Sequence, residues 1–261
     1  MLRVQPLLLI LAMCFSIAAA VVGCVALMKR MLLASDVMSH LALPGIGLAL
    51  LLKESPISGG AATLFLGTFL VWRLEKKTGL ATDSAVGVIF ATALAIGAAI
   101  IPNEDLAESL FGNLGRISVV EFVLGMAAVS FVVFSIFLLR DQLSLSILSP
   151  DLATATGVKV SRLDLRFLLL FSLTVLVGLR FMGALLAASL IIMPAATARQ
   201  LADKLASFIL LAIAISLLSV TGGFLLNTFV FKISTVGPVI TIFSALLFSA
   251  SLLVRSKRSL G

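Results

Sequence analysis

Two residues of this chain, Asp36 and His40, have side chains of the types and at the spacing that could bind a metal ion. His40 is the only histidine among the 261 residues, and Asp36 precedes it by four positions. In an α-helix this spacing places the carboxylate and the imidazole on one face, one turn apart. Carboxylate oxygen and imidazole nitrogen are both ligands of first-row divalent metals. The pair therefore predicts a site for an ion such as Zn²⁺, Mn²⁺ or Fe²⁺.

The sequence that must position this pair is mostly apolar. Hydrophobic residues make up 61% of the chain and charged residues 12%, and the mean hydropathy is +1.24. The apolar runs are about 17–22 residues long, which is the length that an α-helix needs to cross a hydrocarbon core of about 30 Å. We therefore expect an all-α, polytopic transmembrane bundle in which residues 1–261 form a single domain. Ionisable groups inside a membrane are costly and usually mark an ion path, so the pair favours passage of a divalent metal.

Eight or nine transmembrane helices are expected, because two short apolar runs adjoin at Arg180. With nine spans and an outer N-terminus, one side of the membrane carries 14 lysines and arginines and the other side carries 5. The positive-inside rule places the richer side in the cytoplasm. The loop at 102–118 then lies outside, and Arg180 is expected in an outer loop. The candidate spans are residues 7–28, 36–52, 57–72, 83–101, 119–139, 166–179, 183–198, 205–228 and 237–254.

Composition and missing motifs exclude several classes of function. The net charge of +7 comes from basic residues in short loops between apolar runs, so membrane orientation explains it and no nucleic-acid partner is expected. No GxxxxGK[ST] loop occurs, so the chain is not expected to bind ATP itself. One histidine cannot build a multi-histidine zinc enzyme site. These observations predict a non-catalytic membrane protein.

A polar segment interrupts the apolar runs at about residues 141–165, on the predicted cytoplasmic side. Within it, the sequence predicts a short helix that Ser149 or Asp151 caps, that Pro150 begins and that Gly157 ends. Such a helix between two spans could dock on a soluble partner, and an ordinary connecting loop is the alternative. The residues of this candidate docking segment are Ser149, Pro150, Asp151, Leu152, Ala153 and Gly157.

The depth of the metal-ligand pair also favours ion passage. Counting along a helix from Arg30 at the membrane edge, His40 lies about 15 Å into the membrane, near its middle. Two ligands are too few for a closed structural site, but they suit a transient station or half of a four-ligand site that a second copy completes. In the alternative interpretation, Asp36 caps the second helix and His40 hydrogen-bonds a neighbouring helix.

The chain resembles the permease subunits of bacterial ABC-type zinc, manganese and iron importers, the ABC-3 family. Several short sequence motifs, in their order and spacing, carry this resemblance. The resemblance covers nearly the whole chain, and the zinc-uptake permeases are the most similar in overall character. One departure lies in the last outer loop, where members commonly carry D-x-P-x-G and this chain has Lys232 and no acid. The strings that carry the resemblance are Asp36-x-x-Ser39-His40 with Pro44-Gly45, Leu74-Glu75-Lys76-Lys77, Gly87-Val88-Ile89-Phe90, Leu110-Phe111-Gly112-Asn113-Leu114, Ser149-Pro150-Asp151-Leu152-Ala153 and Met193-Pro194-Ala195-Ala196-Thr197-Ala198-Arg199.

The resemblance implies a permease like those of ABC type II importers, a multi-pass protein of the bacterial cytoplasmic (inner) membrane. It implies a dimer, homodimeric or pseudo-dimeric, with the path between protomers, two cytoplasmic ATPase subunits and an outer metal-binding protein. Asp36 and His40 match the family's DxxSH motif, which lines the path, and residues 149–157 match its ATPase-coupling segment. No permanently bound cofactor is implied, since the metal is the cargo, with zinc favoured and manganese or iron as alternatives.

We therefore predict the membrane-spanning permease subunit of an ATP-driven importer for divalent transition-metal ions. Two alternatives from other classes stay open at this point. An autonomous gradient-driven transporter or channel would carry metal without any ATPase. A non-transporting membrane scaffold would leave cellular metal content unchanged when His40 is replaced.

Overall fold

The computed structural model describes residues 6–32, 34–100, 118–231 and 236–259. These residues form eleven α-helices and one π-helical turn and contain no strand, so the predicted all-α class is confirmed. The helices are α1 (Pro6–Met28), α2 (Ala34–His40), α3 (Leu43–Leu51), α4 (Pro56–Thr78), α5 (Thr82–Ile100), α6 (Val119–Leu148), α7 (Pro150–Ala155), α8 (Val160–Met182), α9 (Ala184–Leu201), α10 (Leu205–Leu226) and α11 (Gly237–Ser259), with the π-helical turn at Asn227–Phe231.

Six helices of the described part are long and apolar enough to cross a membrane, namely α1, α4, α6, α8, α9 and α10. Two shorter apolar stretches belong to α5 (Thr82–Gly97) and α11 (Gly237–Leu253). This distribution agrees with the predicted multi-pass bundle. One span was predicted at 36–52, but the structure has two short helices there, α2 and α3. Most of the predicted outer loop at 102–118 lies outside the described residues, as does Lys232.

The central helix of the bundle is α1, which packs against α6, α8, α9 and α10. Small residues make this possible, because they let neighbouring backbones approach closely. Ala18, Ala19 and Ala20 are at most 1% exposed, and a Cβ at Gly23 would lie 2.0 Å from the Ile191 carbonyl oxygen of α9. These contacts fix α1 within the bundle, and the chain leads from its end into α2.

The prediction that Arg180 lies in an outer loop is wrong. It lies in the last turn of α8, which runs to Met182, and its guanidinium donates to the Glu121 carboxylate in the first turn of α6. The same carboxylate accepts from the Ser118 N–H at 3.0 Å in a capping box that begins α6. Because Glu121 supplies a countercharge, the arginine remains inside a membrane-spanning helix instead of requiring a loop.

Candidate functional site

The predicted metal ligands lie on α2, a seven-residue helix that follows the central α1 and packs against α5, α8 and α9. One face of α2 is buried, and the other carries Asp36, which is exposed, and His40, which is half-buried. Because the two residues are one turn apart, their side chains share that face. The structure therefore brings both predicted ligands together on a face that the described residues of this chain leave partly uncovered. The buried residues of α2 are Ala34, Ser35, Met38 and Ser39.

The side-chain contacts of the pair are few. The His40 ring lies 5.7 Å from the Phe90 ring of α5, centroid to centroid, with a tilt of 52°, and this contact holds the imidazole against α5. Asp36 is the third residue of α2, so its negative charge lies near the positive end of the helix dipole. Within the described residues, neither the carboxylate nor the imidazole makes a hydrogen bond. The alternative interpretation, in which the pair only caps and joins helices, requires such bonds.

The chain breaks between α2 and α3 directly after His40. Leu41 and Ala42 form a turn, and α3 begins at Leu43. Pro44 has no main-chain N–H, so it cannot donate the i→i−4 hydrogen bond that the His40 carbonyl would accept in a continuous helix. Discontinuous membrane helices often form ion sites, since their freed carbonyl oxygens can face an ion or a polar cavity instead of lipid. The break therefore leaves the His40 carbonyl oxygen without the main-chain N–H that would donate to it in a continuous helix.

A contact between two glycines fixes α3 against α4. A Cβ at Gly45 would lie 2.0 Å from the Gly59 carbonyl oxygen, and a Cβ at Gly59 would lie 2.2 Å from the Gly45 carbonyl oxygen. Both distances are far below van der Waals contact, so only glycine permits this approach. The Thr63 hydroxyl of α4 also lies 3.4 Å from the Ala42 carbonyl oxygen in the break and 3.2 Å from that of Gly59. The position of the break, and with it that of His40, therefore depends on this glycine contact.

Replacement of Gly45 by alanine is expected to destabilise the fold around the break. The added methyl group would meet a main-chain oxygen that cannot rotate away, and overpacking of this kind costs about 1–3 kcal/mol or more. The matched control is Gly87→Ala in α5, where a Cβ meets nothing within 4 Å and alanine improves helix propensity by about 1 kcal/mol. Thermal unfolding in detergent should give a lower midpoint for Gly45→Ala only. Equal midpoints for the two variants would contradict the glycine contact.

A second polar cluster was not predicted from the sequence. Lys29 Nζ, just after α1, donates to Asp164 Oδ1 of α8 at 2.5 Å. The Glu75 carboxylate of α4 interacts electrostatically with both Lys29 and Asp164. Its Oε1 accepts from Thr82 Oγ1 at 3.1 Å, while its Oε2 is buried and has no partner among the described residues. The sequence carries no signal for this cluster, because 135 positions separate Lys29 from Asp164.

The chain alone offers few ligands to a metal. Within the described residues, no group of three or more His, Cys, Asp and Glu side chains could hold an ion. On the exposed face of α2, Asp36 and His40 offer at most two of the four ligands that Zn²⁺ usually takes. For a metal to bind there, water or a second chain must fill the remaining positions. Such incomplete coordination suits reversible binding better than permanent retention.

The predicted docking segment folds as the short helix α7 between α6 and α8. Ser149 Oγ accepts from the Leu152 N–H at 3.3 Å, so Ser149 and not Asp151 is the N-cap. Pro150 is the first helical residue, and Gly157 follows the helix with a φ of 84°, a conformation that favours glycine. The local structure of this segment was therefore predictable from its capping residues.

The helix α7 presents an apolar side chain outward. Leu152 is 58% exposed and Leu148, the last residue of α6, is 84% exposed, whereas Ala153 is fully buried. Ala153 therefore anchors α7 to the bundle while the side chains of the two leucines remain exposed. Exposed apolar side chains that lie together are typical of a surface that another protein covers.

The chain is similar to known membrane transport proteins along most of its length. The family described as "ABC 3 transport family" matches residues 4–255. Over 249 residues, covering 93% of this chain and 94% of the relative, it is 32% identical to "High-affinity zinc uptake system membrane protein ZnuB" of Haemophilus influenzae. Over 217 residues, covering 81% and 74%, it is 30% identical to "Manganese transport system membrane protein MntC" of Halalkalibacterium halodurans. A solved structure, "PsaBC from Streptococcus pneumoniae in complex with Fab", matches with a TM-score of 0.79 and 25% identity over 95% of this chain and 91% of that one.

Proposed function

The chain belongs to the ABC 3 transport family, and on that premise we propose that it is the membrane-spanning permease subunit of an ATP-driven importer for divalent transition-metal ions. One observation carries the proposal: Asp36 and His40 share a partly uncovered face of a short helix that ends in a break, within a bundle of membrane-spanning helices. A carboxylate on such a face is costly against lipid but has a use where an ion passes. The zinc and manganese transport relatives support the same class of cargo.

A second copy of the chain completes the metal site in this proposal. Each protomer contributes Asp36 and His40, and a two-fold axis would bring two carboxylates and two imidazoles to one ion. Four ligands of these types suit a tetrahedral divalent metal. The exposure of Asp36 in the single chain supports this arrangement, because a side chain at a protomer interface is exposed when one protomer is considered alone.

The energy for transport comes from partner chains. Cytoplasmic ATPase subunits dock on α7 around the exposed Leu152, and a metal-binding protein delivers the ion at the outer face of the bacterial cytoplasmic membrane. ATP-driven movement of α7 then switches access to the pair from one side to the other. The motif content supports this division of labour, since the sequence has no phosphate-binding loop of its own.

Zinc is the first candidate for the cargo, with manganese and iron as alternatives. The relatives include both a zinc and a manganese transport protein. Imidazole and carboxylate bind all three ions, so metal availability and the delivery protein decide which ion enters. The transported ion is the substrate, and the proposal needs no resident cofactor.

Transport into proteoliposomes tests the proposal. The full chain is reconstituted with its ATPase and its metal-binding protein, and zinc, manganese and iron inside the vesicles are measured by mass spectrometry. We expect one metal to accumulate with ATP and not with a non-hydrolysable analogue. Equal accumulation without the ATPase would identify a gradient-driven transporter instead. Absence of accumulation in every condition would contradict a transport function.

A further inference from the structure

A cavity of about 510 Å³ opens where α1, α6 and α9 end and α10 begins. Its floor is apolar and comes from membrane-spanning helices, and Phe208 at its base is only 4% exposed. Its rim is charged, with Arg30, Arg199, Asp203 and Lys204 around the opening. The cavity therefore combines a hydrocarbon-like interior with a polar rim. The main floor residues are Leu27, Met28, Ile147, Leu205 and Phe208.

The rim has an excess of positive charge, since three cations face one carboxylate. All four side chains are exposed, and none forms an ion pair with another described residue. Like charges gathered beside a low-dielectric floor repel one another, and the floor strengthens their field. An anion bound at the rim would relieve this repulsion.

Arg30 occupies its place on the rim in an unfavourable backbone conformation. The end of α1 is a Schellman turn, in which the Met31 N–H donates to the Ala26 carbonyl at 2.9 Å and the Arg30 N–H donates to the Leu27 carbonyl at 3.0 Å. Arg30 is the left-handed residue of this turn, with a φ of 59°. Glycine is the usual residue at this position, because a side chain is strained there. The strained arginine is thus one of the cations that line the cavity.

We propose that this cavity binds an anionic phospholipid of the cytoplasmic leaflet, with the phosphate among Arg30, Arg199 and Lys204 and an acyl chain on the floor. The three cations lie on the side of the bundle that loop charge predicts to be cytoplasmic. They stand at or just beyond helix ends, where a spanning helix would meet the lipid headgroups, whereas the floor comes mainly from helices long and apolar enough to cross the hydrocarbon. Basic pockets between transmembrane helices on this side recognise acidic headgroups. A phospholipid matches both parts of the cavity, its phosphate the charged rim and its acyl chain the apolar floor.

Native mass spectrometry of the full chain in detergent tests the proposal. The wild type is equilibrated with phosphatidylglycerol or phosphatidylcholine, and we expect it to retain phosphatidylglycerol preferentially. Each cation near anionic lipid contributes about fivefold to binding, so the triple variant Arg30→Gly, Arg199→Gln and Lys204→Gln should lose more than tenfold. Lys77→Gln is the matched control, because Lys77 is an exposed cation of α4 that does not line the cavity.

A single variant separates lipid binding from folding. Arg30→Gly removes one cation and also relieves the left-handed strain, so it should weaken phosphatidylglycerol retention while the thermal midpoint stays level or rises. A fall in the midpoint with unchanged lipid retention would assign Arg30 a structural role and overturn its place in the proposal.

Three further outcomes would overturn the proposal. One is equal retention of the two lipids, or equal retention by the wild type and the triple variant. The second is displacement of phosphatidylglycerol by inorganic phosphate at the same concentration, which would identify a site for a free anion. The third is capture of the ATPase, and not of phospholipid, by a photo-cross-linking residue in place of Leu205, which lines the cavity and lies outside α7. That result would assign the cavity to subunit docking.

Discussion

Replacement of His40 by alanine is expected to lower ATP-driven metal uptake at least a hundredfold when the metal is limiting. A complete four-ligand zinc site is worth about 10–16 kcal/mol, so one ligand accounts for about 3 kcal/mol, or roughly a hundredfold in affinity, and the change removes one imidazole from each of the two copies. Asp36→Ala should have a similar effect, because the carboxylate shares the face and lies one turn away. Zinc, manganese and iron in metal-starved cells that express the intact transporter are the quantities to measure.

The control for this experiment is Val37→Ala, which changes a half-buried apolar residue on the same short helix and removes no ligand. It should keep uptake close to that of the wild type. The amount of each variant in the membrane fraction must be compared, so that loss of protein is not mistaken for loss of transport. Unchanged accumulation of all three metals in His40→Ala would remove His40 from the path and favour its role in helix packing.

Local features of the site could be predicted from the sequence because they depend on neighbouring residues. The shared face of Asp36 and His40 follows from their spacing alone, and the cap and stop of α7 follow from Ser149 and Gly157. The break after His40 was only partly predictable. Pro44 indicates an interruption of the helix. The sequence nevertheless predicted one span at 36–52, where the chain forms two helices.

Contacts between distant segments could not be predicted, because no local pattern encodes them. The sequence shows Gly45 and Gly59 as separate glycines, and only the fold brings their backbones together. In the same way, Arg180 pairs with Glu121, which lies 59 positions away in the sequence. This ion pair explains why Arg180 lies within α8, although it was expected in a loop. Hydropathy alone places charges at span ends and therefore set the boundary of α8 too early.

Replacement of Leu152 by aspartate is expected to abolish assembly with the ATPase subunits and, with it, ATP-driven uptake. Leu152 is 58% exposed on α7, so the change should alter the stability of the isolated chain by only about 0.5 kcal/mol. In a protein interface the same change would bury an unpaired charge in place of a leucine, at a cost of about 2–4 kcal/mol, or roughly thirtyfold to thousandfold in affinity. Copurification of the ATPase with the tagged chain measures this loss directly.

Arg73→Gln serves as the matched control, because Arg73 is an exposed residue on the side of the bundle predicted to be cytoplasmic and lies outside α7. ATPase copurification should survive this change and should also survive His40→Ala, which removes a ligand from the site and leaves α7 unaltered. Metal transport without assembly, or assembly that Leu152→Asp does not weaken, would leave α7 as an ordinary connection between α6 and α8. We expect Leu152→Asp to lose both assembly and uptake, and His40→Ala to lose uptake while it keeps assembly. That combination requires a metal site and a docking site that are physically separate and act in the same cycle.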